Sequence, residues 1–183
     1  MIWGCNFFII LYIIICFSKN SLLTIQDNSI ESAEETVLED YLLCRGCGSD
    51  TAPTNLIVTK LSDKYLAYSN ETLFGKRKVI VQLVGNARKE QFEIIVLKKA
   101  SCSLVIIDNN WKTLYTFFEG YAWKYCFCPR CSAHIGWMFE PIETALPSLK
   151  LPSDKGFYAI DLRNIVAESE LKSIIATQYK QDL

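Results

Sequence analysis

The sequence predicts a mainly β domain built around one core and held by a metal ion. Three observations carry that expectation. Runs of β-branched and aromatic residues recur between Leu56 and Ile107, separated by Asn, Gly and charged residues. Two Cys-x-x-Cys pairs stand far apart, at Cys44/Cys47 and Cys128/Cys131. Aromatic residues crowd the second pair in FFEGYAWKYCFCPRCSAHIGWMFE, Phe117 to Glu140.

Composition bounds the class. With 183 residues, 50% of them apolar, and a formal charge of -1, the chain has material for one sizeable core and too little charge asymmetry for a polyanion partner. Nucleic acid is therefore not an expected ligand.

The first segment, MIWGCNFFIILYIIICFS, has no charged residue, and its apolar run from Phe7 to Phe17 suits a signal-peptide core better than a membrane span of about 20 residues. Residues 1–18 read as a secretory signal, with an uncleaved signal anchor as the alternative because Lys19 follows the run. Cleavage leaves no stable membrane anchor and predicts a secreted, extracellular protein. It also removes Cys5 and Cys16, leaving Cys44, Cys47, Cys102, Cys126, Cys128 and Cys131.

Residues 19–40 are polar and acidic with sparse aliphatics, which predicts a leader, partly helical near Ser32 to Tyr41. The domain proper is expected over 41–183. Its strands read as LIVTKL, KYLAYS, KVIVQLVG, QFEIIVLKKA and CSLVIID, with turns near Asn70 and Gly75, from Gly85, and from Asp108. After the aromatic stretch come a Pro-containing loop, a strand over FYAIDLRNI and an amphipathic helix near Glu168 to Tyr179.

The Cys-x-x-Cys spacing lets a short knuckle present two thiolates to one tetrahedral cation, so Cys44, Cys47, Cys128 and Cys131 form a candidate zinc site. Two disulfides or a redox pair are the competing uses of such cysteines in an oxidising compartment. Energy favours the metal. Closing the segment between Cys47 and Cys128 costs about 4 kcal/mol, whereas a structural zinc contributes on the order of 10 to 16 kcal/mol. Four thiolates leave no open coordination position, so the ion is expected to be structural. Cys102 and Cys126 either form a disulfide or pack as small hydrophobes, and the sequence carries no distance that chooses. The lone histidine, His134, is expected to pack and hydrogen-bond beside the site.

The aromatic stretch carries a family likeness. Gly120-Tyr121-Ala122-Trp123, then Cys128 and Cys131, then His134-Ile135-Gly136-Trp137 and Phe139 resemble the CULT domain, the thalidomide-binding domain of cereblon. The resemblance runs from about Tyr41 to Val166, through LAYSN, KKASCSLVII and FYAIDL. It implies a β-tent, two antiparallel sheets pinned by one zinc, and a pocket with three aromatic walls. Those walls map onto Phe117, Trp123 and Trp137, with Phe139 at the base, and Asn70 matches the asparagine at the pocket edge. The implied ligands are small neutral cyclic imides, uracil-like rings and chain ends cyclised to imides.

Departures bear on the ligand. Phe117 stands where the family has a tryptophan, Tyr115 where it has a histidine, and Glu71 where a proline follows the asparagine. Asn70-Glu71-Thr72 is also an N-glycosylation sequon. Phe118 and Tyr121 read as core.

Two classes of function follow. The first is a secreted binding module without enzymatic activity, and no ubiquitin-ligase partner is inferred, because nothing in the chain resembles the parts of cereblon that recruit one. An aromatic box also attracts cations, so a quaternary ammonium, or a protein partner on the same face, is the rival within that class. The second is a thiol-dependent reductase of the methionine sulfoxide type, which shares the tent. Such enzymes carry a reactive cysteine after the second knuckle, where this chain has Ala159, so only Cys102 or Cys126 could serve.

Overall fold

The computed structural model describes residues 39–104 and 110–181. The expected signal, the leader up to residue 38 and much of CSLVIID lie outside them. The described chain is mainly β: β1 (Tyr41–Cys44), β2 (Asp50–Pro53), β3 (Tyr65–Leu73), β4 (Lys76–Gly85), β5 (Gln91–Leu97), β6 (Tyr121–Phe127), β7 (His134–Pro141), β8 (Phe157–Asp161), β9 (Ile165–Ala167) and a C-terminal helix α1 (Glu168–Gln181).

These strands form two antiparallel sheets, one of three strands in the order β2-β1-β9 and one of six in the order β3-β4-β5-β8-β7-β6. The two-sheet plan that the family resemblance implied is therefore present. The central strands of the larger sheet are buried on both faces, and strand alternation sorts their residues between two clusters. Ile95, Leu97, Tyr158, Ile160, Ile135 and Met138 share a cluster with Leu42 and Ile165 of the smaller sheet. Ile94, Val96, Ala159, Trp137, Phe139 and Phe157 face the other way, onto Phe117 and Phe118.

Three local expectations are corrected. LIVTKL is not a strand: it begins in a 3-10 turn over Thr54–Leu56, and Ile57 makes a single bridge to Leu97. FYAIDLRNI is broken, because the Asp161 carboxylate accepts the Arg163 backbone N–H and caps a turn over Leu162–Asn164 between β8 and β9. Tyr41, expected at a helix end, opens β1.

Two ionisable side chains inside the fold hold the segment between β7 and β8. Glu140, fully buried, accepts from the Ser153 backbone N–H at 2.8 Å and from the Ser153 and Thr144 hydroxyls. Lys124, also buried, donates to the Leu149 carbonyl at 2.8 Å while its ammonium lies 4.5 Å from the Trp111 ring centroid. A buried charge is tolerated only with such partners.

Candidate functional site

The two Cys-x-x-Cys pairs are built alike. In the first, the Gly48 N–H donates to the Cys44 carbonyl at 2.8 Å; in the second, the Ser132 N–H donates to the Cys128 carbonyl at 2.9 Å. Gly48 and Ser132 follow the second cysteine of their pairs, and both turn the chain through the left-handed region, with φ of 70° and 60°. The first knuckle hangs from β1 and β2 of the smaller sheet, the second from β6 and β7 of the larger one. The Arg130 guanidinium bridges them by donating to the Cys47 carbonyl.

All four sulfur atoms lie within 4.8 Å of one another. Sγ of Cys44 is 3.7 Å from that of Cys131, and Sγ of Cys47 is 3.6 Å from that of Cys128. A tetrahedral zinc with Zn–S of about 2.3 Å requires sulfur pairs about 3.8 Å apart. The four cysteines therefore fit one structural zinc, which joins the two sheets. Ser49 supports the cluster, with its hydroxyl 3.2 Å from the Cys47 sulfur and 3.1 Å from that of Cys128.

The four thiols differ in acidity. Burial pushes Cys44 up to about 12. Burial also acts to raise Cys128, but hydrogen bonds from the Ser49 hydroxyl and from the Cys131 and Arg130 backbone outweigh it and bring that thiol down to about 6. Bonding to Ser49 lowers Cys47 as well. Cys47 and Cys128 are therefore the more acidic thiols of the four, and metal binding, which requires thiolates, is coupled to proton release.

The remaining cysteines are joined. Cys102 and Cys126 form a disulfide with their Cα atoms 5.1 Å apart, the alternative the sequence left open.

A cavity of about 380 Å³ opens on the aromatic face of the larger sheet, and Tyr115, Phe117, Trp123, Trp137 and Phe139 all line it. Pairing explains why. Trp123 of β6 lies opposite Phe139 of β7, and Tyr125 lies opposite Trp137, so alternate residues of neighbouring strands point their rings to one side. Phe117 arrives from the preceding loop. Its ring meets Trp137 edge to face at 5.1 Å, and its carbonyl accepts the hydroxyl of the buried Ser62. Ser62 is held in turn by Gln82 of β4, whose side-chain oxygen accepts the Ser62 N–H at 2.6 Å.

The indoles are fixed by different means. Trp137 is 5% exposed and contacts Phe92, Phe117 and His134, each edge to face. Trp123 is half-buried, donates its indole N–H to the Leu114 carbonyl at 2.8 Å, and exchanges two backbone hydrogen bonds with Lys112. Tyr115 is the outlying member, 72% exposed at the rim with φ of 58°.

Asn70 is not brought to the cavity. It lies exposed on β3, opposite Ile80 of β4, while the amide at the rim belongs to Asn86, with Ala87, Arg88 and Glu90 beside it. The Asn86 side-chain oxygen accepts from the Arg88 and Glu90 N–H groups at 2.9 and 3.0 Å, and its NH2 donates to the Glu90 carboxylate. Asn86 thereby builds the turn between β4 and β5. The GNARKE turn signal in the sequence marked this position, but only the sheet brings that turn to the aromatic face.

His134 packs as expected, against Tyr125, Phe127 and Trp137, and lines the cavity. Only one of its ring nitrogens, the buried Nε2, lacks a hydrogen-bond partner among the described residues. Burial holds its pKa below the usual imidazole value, opposed by a backbone hydrogen bond at Gly136 and by the charge of Asp161.

No family model matches the chain. It is similar to protein cereblon of Danio rerio. The identity with cereblon is 31% over 97 residues, covering 51% of this chain and 21% of cereblon. The matched part thus spans about a fifth of cereblon's length. The likeness to cereblon, the four-cysteine cluster and the aromatic cavity together fit a zinc-containing binding module.

Proposed function

We propose that this chain is a secreted binding module whose aromatic cavity holds a small neutral cyclic imide, a uracil-like ring or a chain end cyclised to an imide. One observation carries the reading: Phe117, Trp123 and Trp137 stand around a single cavity of about 380 Å³, near the lower end of the range of about 300 to 1,000 Å³ usual for small-ligand sites. Each wall is held by contacts of the protein's own, so little ordering entropy opposes a ligand. Flat rings suit a flat neutral ligand, and Arg88 and Tyr115, which line the cavity, carry polar groups that can pair with its carbonyl and N–H groups.

Binding rather than catalysis is supported from two sides. The likeness is to cereblon, and Cys102 and Cys126, the cysteines a reductase would need, are tied to each other. The same disulfide supports an oxidising compartment, hence secretion. A ligand cation is less favoured, because the Lys112 ammonium already lies 4.8 Å from the Trp123 ring centroid and 4.7 Å from that of Tyr125.

A glutarimide has about eight heavy atoms, which bounds its binding near -12 kcal/mol, and micromolar affinity corresponds to about -8 kcal/mol. The test is titration of the zinc-loaded protein with glutarimide, uracil and tetramethylammonium, followed by tryptophan fluorescence. Saturable quenching by the two imides at micromolar or weaker affinity supports the reading. Response to the ammonium alone would replace it with a cation cage, and response to none would remove small-ligand binding.

A further inference from the structure

The chain contains one Asn-x-Ser/Thr sequence, Asn70-Glu71-Thr72, and the cavity makes no use of it. All three residues are exposed on β3, the edge strand of the six-stranded sheet. Asn70 opposes Ile80 on one side and, among the described residues, has no strand on the other. Its side-chain amide forms no hydrogen bond among the described residues, whereas the adjacent Ser69 and Glu71 side chains bond each other at 2.6 Å. An oligosaccharyl acceptor requires this combination of a sequon and an accessible, uncommitted amide. The Cys102–Cys126 disulfide is independent support for the compartment in which such transfer occurs.

The position also answers a physical problem. A free sheet edge is a template for pairing with another chain, and proteins protect it with charge, bulges or a cover. This edge carries Tyr65, Leu66 and Tyr68 at 44%, 57% and 50% exposure, with the two tyrosine rings in edge-to-face contact. Asn70 lies two residues beyond Tyr68, so their side chains leave the strand in the same direction.

We propose that Asn70, which does not line the aromatic cavity, carries an N-linked glycan that covers the free edge of the larger sheet. The inference rests on the secretory reading given above, and the experiment separates the two. The full chain is expressed with its own N-terminus in a secreting animal cell line. The culture medium and the cytosol are then assayed for the protein, for the Cys102–Cys126 linkage and for the mass of the peptide containing Asn70. The expected result is secreted protein whose mass falls on treatment with peptide N-glycosidase, with Asn70 converted to Asp. That mass change is lost in Asn70→Gln and Thr72→Ala and kept in Thr72→Ser. Secreted, disulfide-linked protein with an unmodified Asn70 would overturn the glycan and leave secretion standing, whereas protein confined to the cytosol would overturn both. Sedimentation of secreted Asn70→Gln tests the shielding: association rising with concentration, absent from the glycosylated protein, supports it, and equal behaviour of the two removes that role.

Discussion

The sulfur atoms of Cys44 and Cys131, 87 positions apart in the chain, lie 3.7 Å from each other. One belongs to a knuckle of the three-stranded sheet and the other to a knuckle of the six-stranded sheet, so the metal centre is a junction between sheets. Zinc analysis is expected to return one ion per chain. A strong chelator should abolish cooperative unfolding, since a structural zinc contributes on the order of 10 kcal/mol, comparable with a domain's whole stability of about 5 to 15 kcal/mol. Cys128→Ser should behave like the chelated protein. A chelated protein that keeps its near-ultraviolet circular dichroism and melting midpoint would contradict this.

The two indoles should separate in mutagenesis. Trp137 is almost fully buried among aromatic rings, so Trp137→Ala is expected to cost about 3 to 5 kcal/mol of stability along with ligand binding. Trp123 is half-buried, and Trp123→Ala should weaken glutarimide binding at least tenfold, about 1.4 kcal/mol, at smaller cost to the fold. Urea denaturation read beside calorimetric titration checks both. Unchanged affinity in a folded Trp123→Ala protein would remove that wall from the site.

Gly136 is required by space. A Cβ at that position would stand 2.2 Å from the Ala159 carbonyl oxygen and 2.9 Å from the Ile160 Cα, both backbone atoms of the neighbouring strand β8. Gly136→Ala must part β7 from β8 and is expected to cost about 3 kcal/mol, read as a lower urea midpoint. Gly48, where an added Cβ meets nothing within 4 Å, has only its left-handed backbone at stake. Gly48→Ala should therefore cost about 1 to 2 kcal/mol, and equal losses at the two positions would contradict the steric account.

His134 predicts a pH dependence. Burial depresses its folded pKa, so below the unfolded value of about 6.5 the unfolded chain holds more protons than the folded one. This contribution to stability is whole above that value and is lost as pH falls through the folded pKa. Replacement by the non-titrating His134→Gln should reduce the fall in stability between pH 7 and pH 5. Parallel curves for the two zinc-loaded proteins would show that the imidazole has no part in it.

The zinc ligands were legible because a thiolate pair is local chemistry: Cys44/Cys47 and Cys128/Cys131 declare themselves by residue type and spacing. The aromatic walls were legible only through the family likeness, which implied Phe117, Trp123 and Trp137 with Phe139 at the base; the pairing of β6 with β7 supplies the physical reason that Trp123 and Trp137 line one cavity. Asn70 and Asn86 show where that reasoning ends. Both sit beside turn signals and look alike in the chain, yet β3 leaves the first at a free edge while the turn between β4 and β5 brings the second to the cavity.

By itself, then, the sequence determined the metal, its four ligands, the β character and the aromatic inventory, because each depends on side-chain chemistry or on short-range periodicity. Tertiary structure alone decided that Cys102 meets Cys126, that Glu140 and Lys124 are buried with partners, and which amide lies at the rim. Those outcomes depend on which strands become neighbours across tens of residues. Sheet order is set by burial summed over the whole core, and no local stretch encodes it.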